Sequence, residues 1–193
     1  MGVISGKPQN NQILTFDSLS NSVKWSYPPS GTSAFQSLEI PAQLWKVDNE
    51  NWRDTFSEHS VINLTKSQTR IISVGMVCPQ NLEFGSLMEL ALVFSMASNQ
   101  APVSSVVFQL DVRYTNVNEP FNHLSDQTSV LVAPTNSIVS GVRCSNTTFL
   151  ISTSGMLPQD YLNFSIRRLI GHPQDITSGM VRFNGASLRY VSF

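Results

Sequence analysis

The sequence predicts an all-β protein: an antiparallel β-sandwich of jelly-roll-like layout, with about 8–10 strands and an extended N-terminal arm. Three observations carry this. Apolar and polar residues alternate with a period of two: Leu162, Phe164 and Ile166 interleave with Asn163, Ser165 and Arg167. That alternation needs one buried and one wet face, as in antiparallel sheet. Turn-forming clusters recur at short intervals, among them Pro79-Gln80-Asn81, Ser98-Asn99-Gln100 and Pro134-Thr135-Asn136-Ser137. No long helical pattern separates the strands, which excludes the βαβ rhythm of a parallel sheet.

Residues 1–37 form the arm and residues 38–193 the body. The arm lacks sustained periodicity and is rich in Asn, Ser, Gly and Pro, with a breaker cluster at Tyr27-Pro28-Pro29-Ser30-Gly31. It nevertheless carries Ile13, Leu14, Phe16, Leu19, Val23, Trp25 and Tyr27, too many apolar side chains for a solvated tail. An extended segment docked on a neighbouring subunit is the expectation. Its anchors are Ile13, Leu14, Phe16, Trp25 and Tyr27.

The body opens with a short strand at Leu38–Ile40, limited by Pro41. Trp45 and Trp52 flank a polar loop, Asp48-Asn49-Glu50-Asn51. Strands then follow at Val61–Leu64, Arg70–Cys78, Leu87–Phe94, Ser104–Tyr114, Ser129–Ala133, Ile138–Arg143, Phe149–Ser152, Tyr161–Arg168 and Val181–Val191. The stretch Asn81–Ser98 is rich in good helix formers. Within it, however, Met88, Leu90, Leu92 and Phe94 alternate with Glu89, Ala91 and Val93, which indicates a strand. A short helix or turn is expected over Asn116–Ser125. In the last strand Val181 and Phe183 are followed by Leu188 and Tyr190.

At 193 residues the chain suits one domain with an arm, and a fold of this size hides about 70% of its extended-chain surface without metal or disulfide staples. Charged residues make up 13% of the chain, against about 25% in ordinary globular proteins. Ser, Thr, Asn and Gln take their place. A polar but charge-poor surface of this kind suits a protein that binds copies of itself or a scaffold. Net charge is −1, and Lys7 and Lys24 are the only cations before residue 45. Clustered phosphate neutralisation is therefore missing, and nucleic acid is not an expected partner. No apolar run approaches the ~18 residues of a membrane span. The residues after Met1-Gly2-Val3-Ile4 are polar, so no secretory signal is expected. Cys78 and Cys144 are expected to be free buried thiols, consistent with assembly in a reducing cytoplasm.

Sites for chemistry are sparse. His59, His123 and His172 share no metal-ligand spacing with one another or with a cysteine or carboxylate. No nucleophile elbow, phosphate loop or zinc-protease motif is present, and no cofactor or metal is expected. The carboxylates Asp111, Glu119, Asp126, Asp160 and Asp175 suggest no catalytic pair, and turn capping accounts for Asp160 and Asp175. An enzyme is not the expectation. Trp25, Trp45, Trp52 and Tyr27 suit a core and a subunit interface better than a sugar-stacking platform.

From Ile40 onward the order of features resembles a group of jelly-roll-like structural proteins of tailed bacteriophages. The matching landmarks are Ile40-Pro41-Ala42 with Trp45, then Pro79 with Phe84-Gly85 before a long strand, then Val106–Leu110 before Asn118-Glu119. The ending matches best: Pro158, Asp160-Tyr161-Leu162, Arg168, Asp175, Gly179 and Leu188-Arg189-Tyr190. Phe84 and Phe94-Ser95-Met96 stand where such proteins usually carry Trp. The resemblance implies a virion structural protein, assembled in the host cytoplasm. Its implied role is to decorate or cement the head shell as a homotrimer bound to the major capsid protein. A receptor-binding fibre or spike knob touching a glycan is the first alternative. The jelly-roll coat protein of a small spherical virus is the second.

Overall fold

The computed structural model describes residues 13–17, 22–26, 34–56, 59–83, 85–116, 126–157, 159–177 and 179–192, with backbone alone for 13–17, 22–26 and 143–146. It is all-β, as the alternation requires. Near the N-terminus β1 (Ile13–Asp17) and β2 (Ser22–Ser26) pair antiparallel as a separate two-stranded sheet, with Ile13 opposite Ser26 and Asp17 opposite Ser22. The sandwich begins with β3 (Ala34–Pro41), four residues earlier in sequence than the Leu38 start expected from periodicity. Its other strands are β4 (Lys46–Val47), β5 (Arg53–Phe56), β6 (His59–Leu64), β7 (Ile71–Val77), β8 (Leu87–Met96), β9 (Ser105–Thr115), β10 (Gln127–Pro134), β11 (Arg143–Ser152), β12 (Tyr161–Arg168) and β13 (Val181–Ser192).

One sheet has the order β10-β9-β12-β7-β4, and the other β11-β8-β13-β6-β5 with β3 also paired to β13. All of these pairings are antiparallel. The alternating residues meet between the layers. Met88, Leu90, Leu92 and Phe94 of β8 face Phe108, Leu110, Leu162, Phe164 and Ile166 in one continuous core. Phe94 and Phe108 join the two sheets edge to face, with ring centroids 5.3 Å apart, a geometry that adds attraction beyond area burial. Trp45 is fully buried against Phe183 and donates its indole N–H to the Ile40 carbonyl. Its polar handle is thereby satisfied, and it is a core residue.

Two local expectations need correction. Ile138–Arg143 is not a strand: residues 135–142 form a turn-rich loop, and the strand starts at Arg143. The loop's backbone groups bond to the end of β8 and to the turn that follows it instead of forming a ladder. Gln100 N–H donates to the Ile138 carbonyl, and Gly141 N–H donates to the Met96 carbonyl. Val139 and Val142 remain exposed, so their apolar character reflects no buried face. The second correction concerns Asp48–Asn51, whose second half belongs to a short 3-10 helix (Glu50–Trp52), its start capped by the Asn49 side chain accepting from Asn51 N–H. The expected turn over Asn116–Ser125 lies almost wholly outside the described residues, as do His123, Phe84 and Pro158.

The last strand changes phase. Val181 and Phe183 point inward, then Ala186 and Leu188, so the buried parity switches from odd to even. The ladder with β8 shifts register between Phe183 and Gly185. This is a β-bulge, one extra residue that re-aims the side chains around it.

Candidate functional site

The bulge sits at a junction. Along one side of β13, β6 pairs with residues Val181–Phe183 and β3 takes over from Gly185 to Ser192. Where β3 ends at Pro41 and β6 turns away to pair with β5, the sheet opens on its outer face. The result is a cleft of about 430 Å³ lined by Pro41, Gln43, Phe56, His59, Ser60, Val93, Ser95, Gly141 and Asn184. A smaller recess of about 200 Å³ continues past Asn184 beneath Glu39 and Gly185.

Each wall has a local cause. Val93 and Ser95 face outward because β8 sends its even-numbered residues into the core. Asn184 is the bulged residue, without a register partner on either neighbouring strand. Phe56 ends β5, its ring covered on one side by the Arg182 guanidinium at 4.3 Å. A Cβ on Gly141 would stand 2.8 Å from that ring, so the loop approaches Phe56 because the residue there is glycine. Ser95 is 2% exposed, and its hydroxyl oxygen has no hydrogen-bond partner; neither does the Asn184 amide oxygen. Beside the cleft, Asp54 is held below the usual carboxylate range, chiefly by the Thr55 N–H and then by the Asn63 amide and Arg182. Among the described residues, His59 is the only titratable side chain in the wall of the main cleft.

The far end of the same outer face is different. Phe35 on β3 is 70% exposed, Leu87 on β8 53% and Leu150 on β11 57%, which is unusual for three apolar side chains on one face. Between them lies the Arg189–Glu89 ion pair, 3.2 Å apart, with the Arg189 guanidinium 5.7 Å from the Phe35 ring centroid. Cross-strand register ties the patch together: Ser37 opposite Arg189, Arg189 opposite Glu89, and Glu89 opposite Leu150.

The residues singled out in the sequence separate clearly. Asp175 does not cap a turn: it accepts two bonds of 2.9 Å from Arg168, both side chains being buried. Asp160 does cap one, accepting from the Leu157 N–H at 2.7 Å. The two carboxylates thus have structural occupations. Arg167 and Arg168 point to opposite faces, as adjacent strand residues must. His172 accepts the Gln174 N–H within its turn. Among the described residues no group of three or more His, Cys, Asp or Glu side chains is placed to hold a metal. Trp52 packs partly buried against the core with the Arg70 guanidinium 4.7 Å from its ring. Ile13, Leu14, Phe16 and Trp25 lie on β1 and β2, where only the backbone is described, and Tyr27 lies outside the described residues.

Cys78 is buried and free, in line with its expectation, while the Cys144 side chain lies outside the description. Burial, reinforced by the Asp160 carboxylate, raises the Cys78 thiol from its usual 9.0 to about 11. A thiol whose folded value is raised stabilises the fold fully below its unfolded value, and that contribution is lost as pH rises from about 9 to about 11. In a Cys144→Ser background, alkylation of Cys78 at pH 8 should therefore be roughly a hundredfold slower in the folded chain than in urea, because only the thiolate reacts. Equal rates in the two states would contradict a buried, neutral thiol.

No family model and no curated protein matches the chain. Solved structures share its outline at low identity. The CBM35 module from Cellvibrio japonicus Abf62 aligns with a TM-score of 0.43 and 12% identity over 82% of this chain and 99% of its own. The K3 cleaved adhesin domain of Lys-gingipain from Porphyromonas gingivalis W83 gives 0.38 and 12% over 80% and 99%. The enzymatically active domain of tailspike protein 4 from bacteriophage CBA120 gives 0.37 and 9% over 83% of this chain and 19% of that one.

Proposed function

We propose that this chain is a virion structural protein of a tailed phage, a decoration or cement subunit that binds the major capsid protein and copies of itself. The observation that carries this reading is the patch of Phe35, Leu87 and Leu150 around the Arg189–Glu89 pair. An apolar centre with one geometrically defined polar contact is how protein interfaces are built, and a lone monomer gains nothing from exposing it. Burying that patch at ~25 cal/mol per Å² supplies holding energy. A trimer engaging several capsid points multiplies it through effective concentration. The anchors Ile13, Leu14, Phe16, Trp25 and Tyr27 add reach to the same interaction. The low charge content supports the reading, since neighbours can pack closely without burying unpaired ions.

The test is co-sedimentation with purified phage heads, together with mass spectrometry of separated heads and tails. The chain is expected in the head fraction. Deleting residues 1–30, or combining Phe35→Glu with Leu150→Glu, should each lower head binding at least tenfold. Circular dichroism of the double substitution should stay unchanged, because exposed substitutions cost about 0.5 kcal/mol or less, and the deletion, which removes β1 and β2, should leave the β-signal of the sandwich. Undiminished binding by both variants would refute the reading. A tail-fraction location would favour the second reading, a fibre or spike knob, for which the open cleft at the β13 junction is the specific support.

A further inference from the structure

We infer that the cleft at the β13 junction binds a neutral saccharide, one or two sugar rings in size. Two residues of its lining, Ser95 and Asn184, each bury a polar atom that the fold leaves unpaired, the Ser95 hydroxyl and the Asn184 amide oxygen. Burying a hydrogen-bonding group without a partner costs about 1–3 kcal/mol, so two such groups within one cleft lining leave it poised for a ligand that supplies their partners. The bulge is what brings Asn184 there: a regular ladder would give it a cross-strand neighbour, and bulges gather where a side chain has to be re-aimed.

The chemistry of the wall selects the ligand class. Among the described residues, the lining of the main cleft holds no carboxylate and no guanidinium, so it offers an ion no fixed counter-charge. Asn184 Oδ1 needs a donor, and the Ser95 hydroxyl both donates and accepts. Vicinal ring hydroxyls offer both functions at the spacing of adjacent carbons. Pro41, Val93 and the Phe56 ring provide the apolar surface against which the C–H face of a sugar ring lies, and the exposed Gln43 and His59 reach over the rim. A volume of about 430 Å³ falls within the range of small-ligand sites. A peptide strand would seek an unpaired strand edge, which this floor, built from paired strands β8 and β13, does not offer.

The inference stands apart from the chain's place in a particle, because it is tested on the isolated full-length chain. Amide resonances are followed during titration with a panel of neutral probes: the methyl glycosides of glucose, galactose, mannose and N-acetylglucosamine, and their disaccharides. At least one is expected to give saturable shifts at Val93, Ser95, Gly141 and Asn184. Ser95→Ala and Asn184→Leu should each weaken that binding tenfold or more. The thermal midpoint should hold or rise, since each change removes an unpaired buried polar atom, whereas a merely structural role would lower it. The inference is overturned if no probe gives saturable shifts, if the shifts map elsewhere, or if Ser95→Ala binds undiminished. It is also overturned if the cleft amides respond to protein concentration alone, which would assign the cleft to a second copy of the chain.

Discussion

Gly185→Ala is expected to lower the stability of the sandwich by about 2–4 kcal/mol, the sum of backbone strain and overpacking. Gly185 has a φ of +142°, a region that residues with a Cβ rarely occupy. A Cβ at this position would stand 2.6 Å from the Ile40 carbonyl oxygen and 3.1 Å from Pro41 Cα. Both are backbone atoms of β3, and β3 is held in register with β13 from Pro41 to Ala34. Neither can move without opening that ladder. The thermal midpoint should fall by roughly 5–15 °C for a domain of this size. Gly171→Ala is the control. Its φ is also positive, at +83°, but nothing lies within 4 Å of the added carbon, so only the left-handed penalty of about 1 kcal/mol remains. Equal effects of the two substitutions would mean that the close approach of β3 contributes nothing.

The second large effect is expected at the buried pair Arg168–Asp175. Every guanidinium nitrogen of Arg168 is occupied. Nε and Nη2 donate to the two Asp175 oxygens, Nη1 to the Gly179 carbonyl at 2.8 Å and the Leu64 carbonyl at 3.4 Å, and Nη2 also to the Thr177 carbonyl at 3.1 Å. One side chain therefore ties the end of β12 to the β12–β13 loop and to the end of β6. Removing either member leaves the other as an uncompensated charge in the interior, which costs about 3–5 kcal/mol. Arg168→Leu and Asp175→Leu should each approach that loss in urea unfolding. The double replacement should cost clearly less than the sum of the two, because it leaves no orphaned charge. Additive losses would show that the pair does not act as a unit.

How much of this was legible in the sequence differs from residue to residue. The strands β8 and β12 follow from alternation alone, and β8 does so despite its helix-forming composition. The structural role of Arg168 left a readable signal: it continues the inward phase of Leu162, Phe164 and Ile166. An arginine in phase with a core needs a buried partner, but the sequence did not say that Asp175 is that partner. The bulge also left a trace, the parity change between Phe183 and Leu188 with Gly185 between them. Ile138–Arg143 misled because its apolar residues were read as a buried face, whereas Val139 and Val142 are exposed in a loop held by long-range backbone bonds.

The cleft had no comparable signal. Pro41, Phe56, Ser95, Gly141 and Asn184 are spread over most of the body and share no spacing. The sequence by itself determined the class of fold, the inward face of each regular strand and the poverty of surface charge, because these depend on local periodicity and composition. Only the tertiary structure decided that β6 and β3 meet end to end along β13, where the bulge falls between them, and which polar groups are left there without partners. The reason is physical: alternation tells a strand which way to face, but its neighbours are chosen by long-range pairing, which the whole core settles at once.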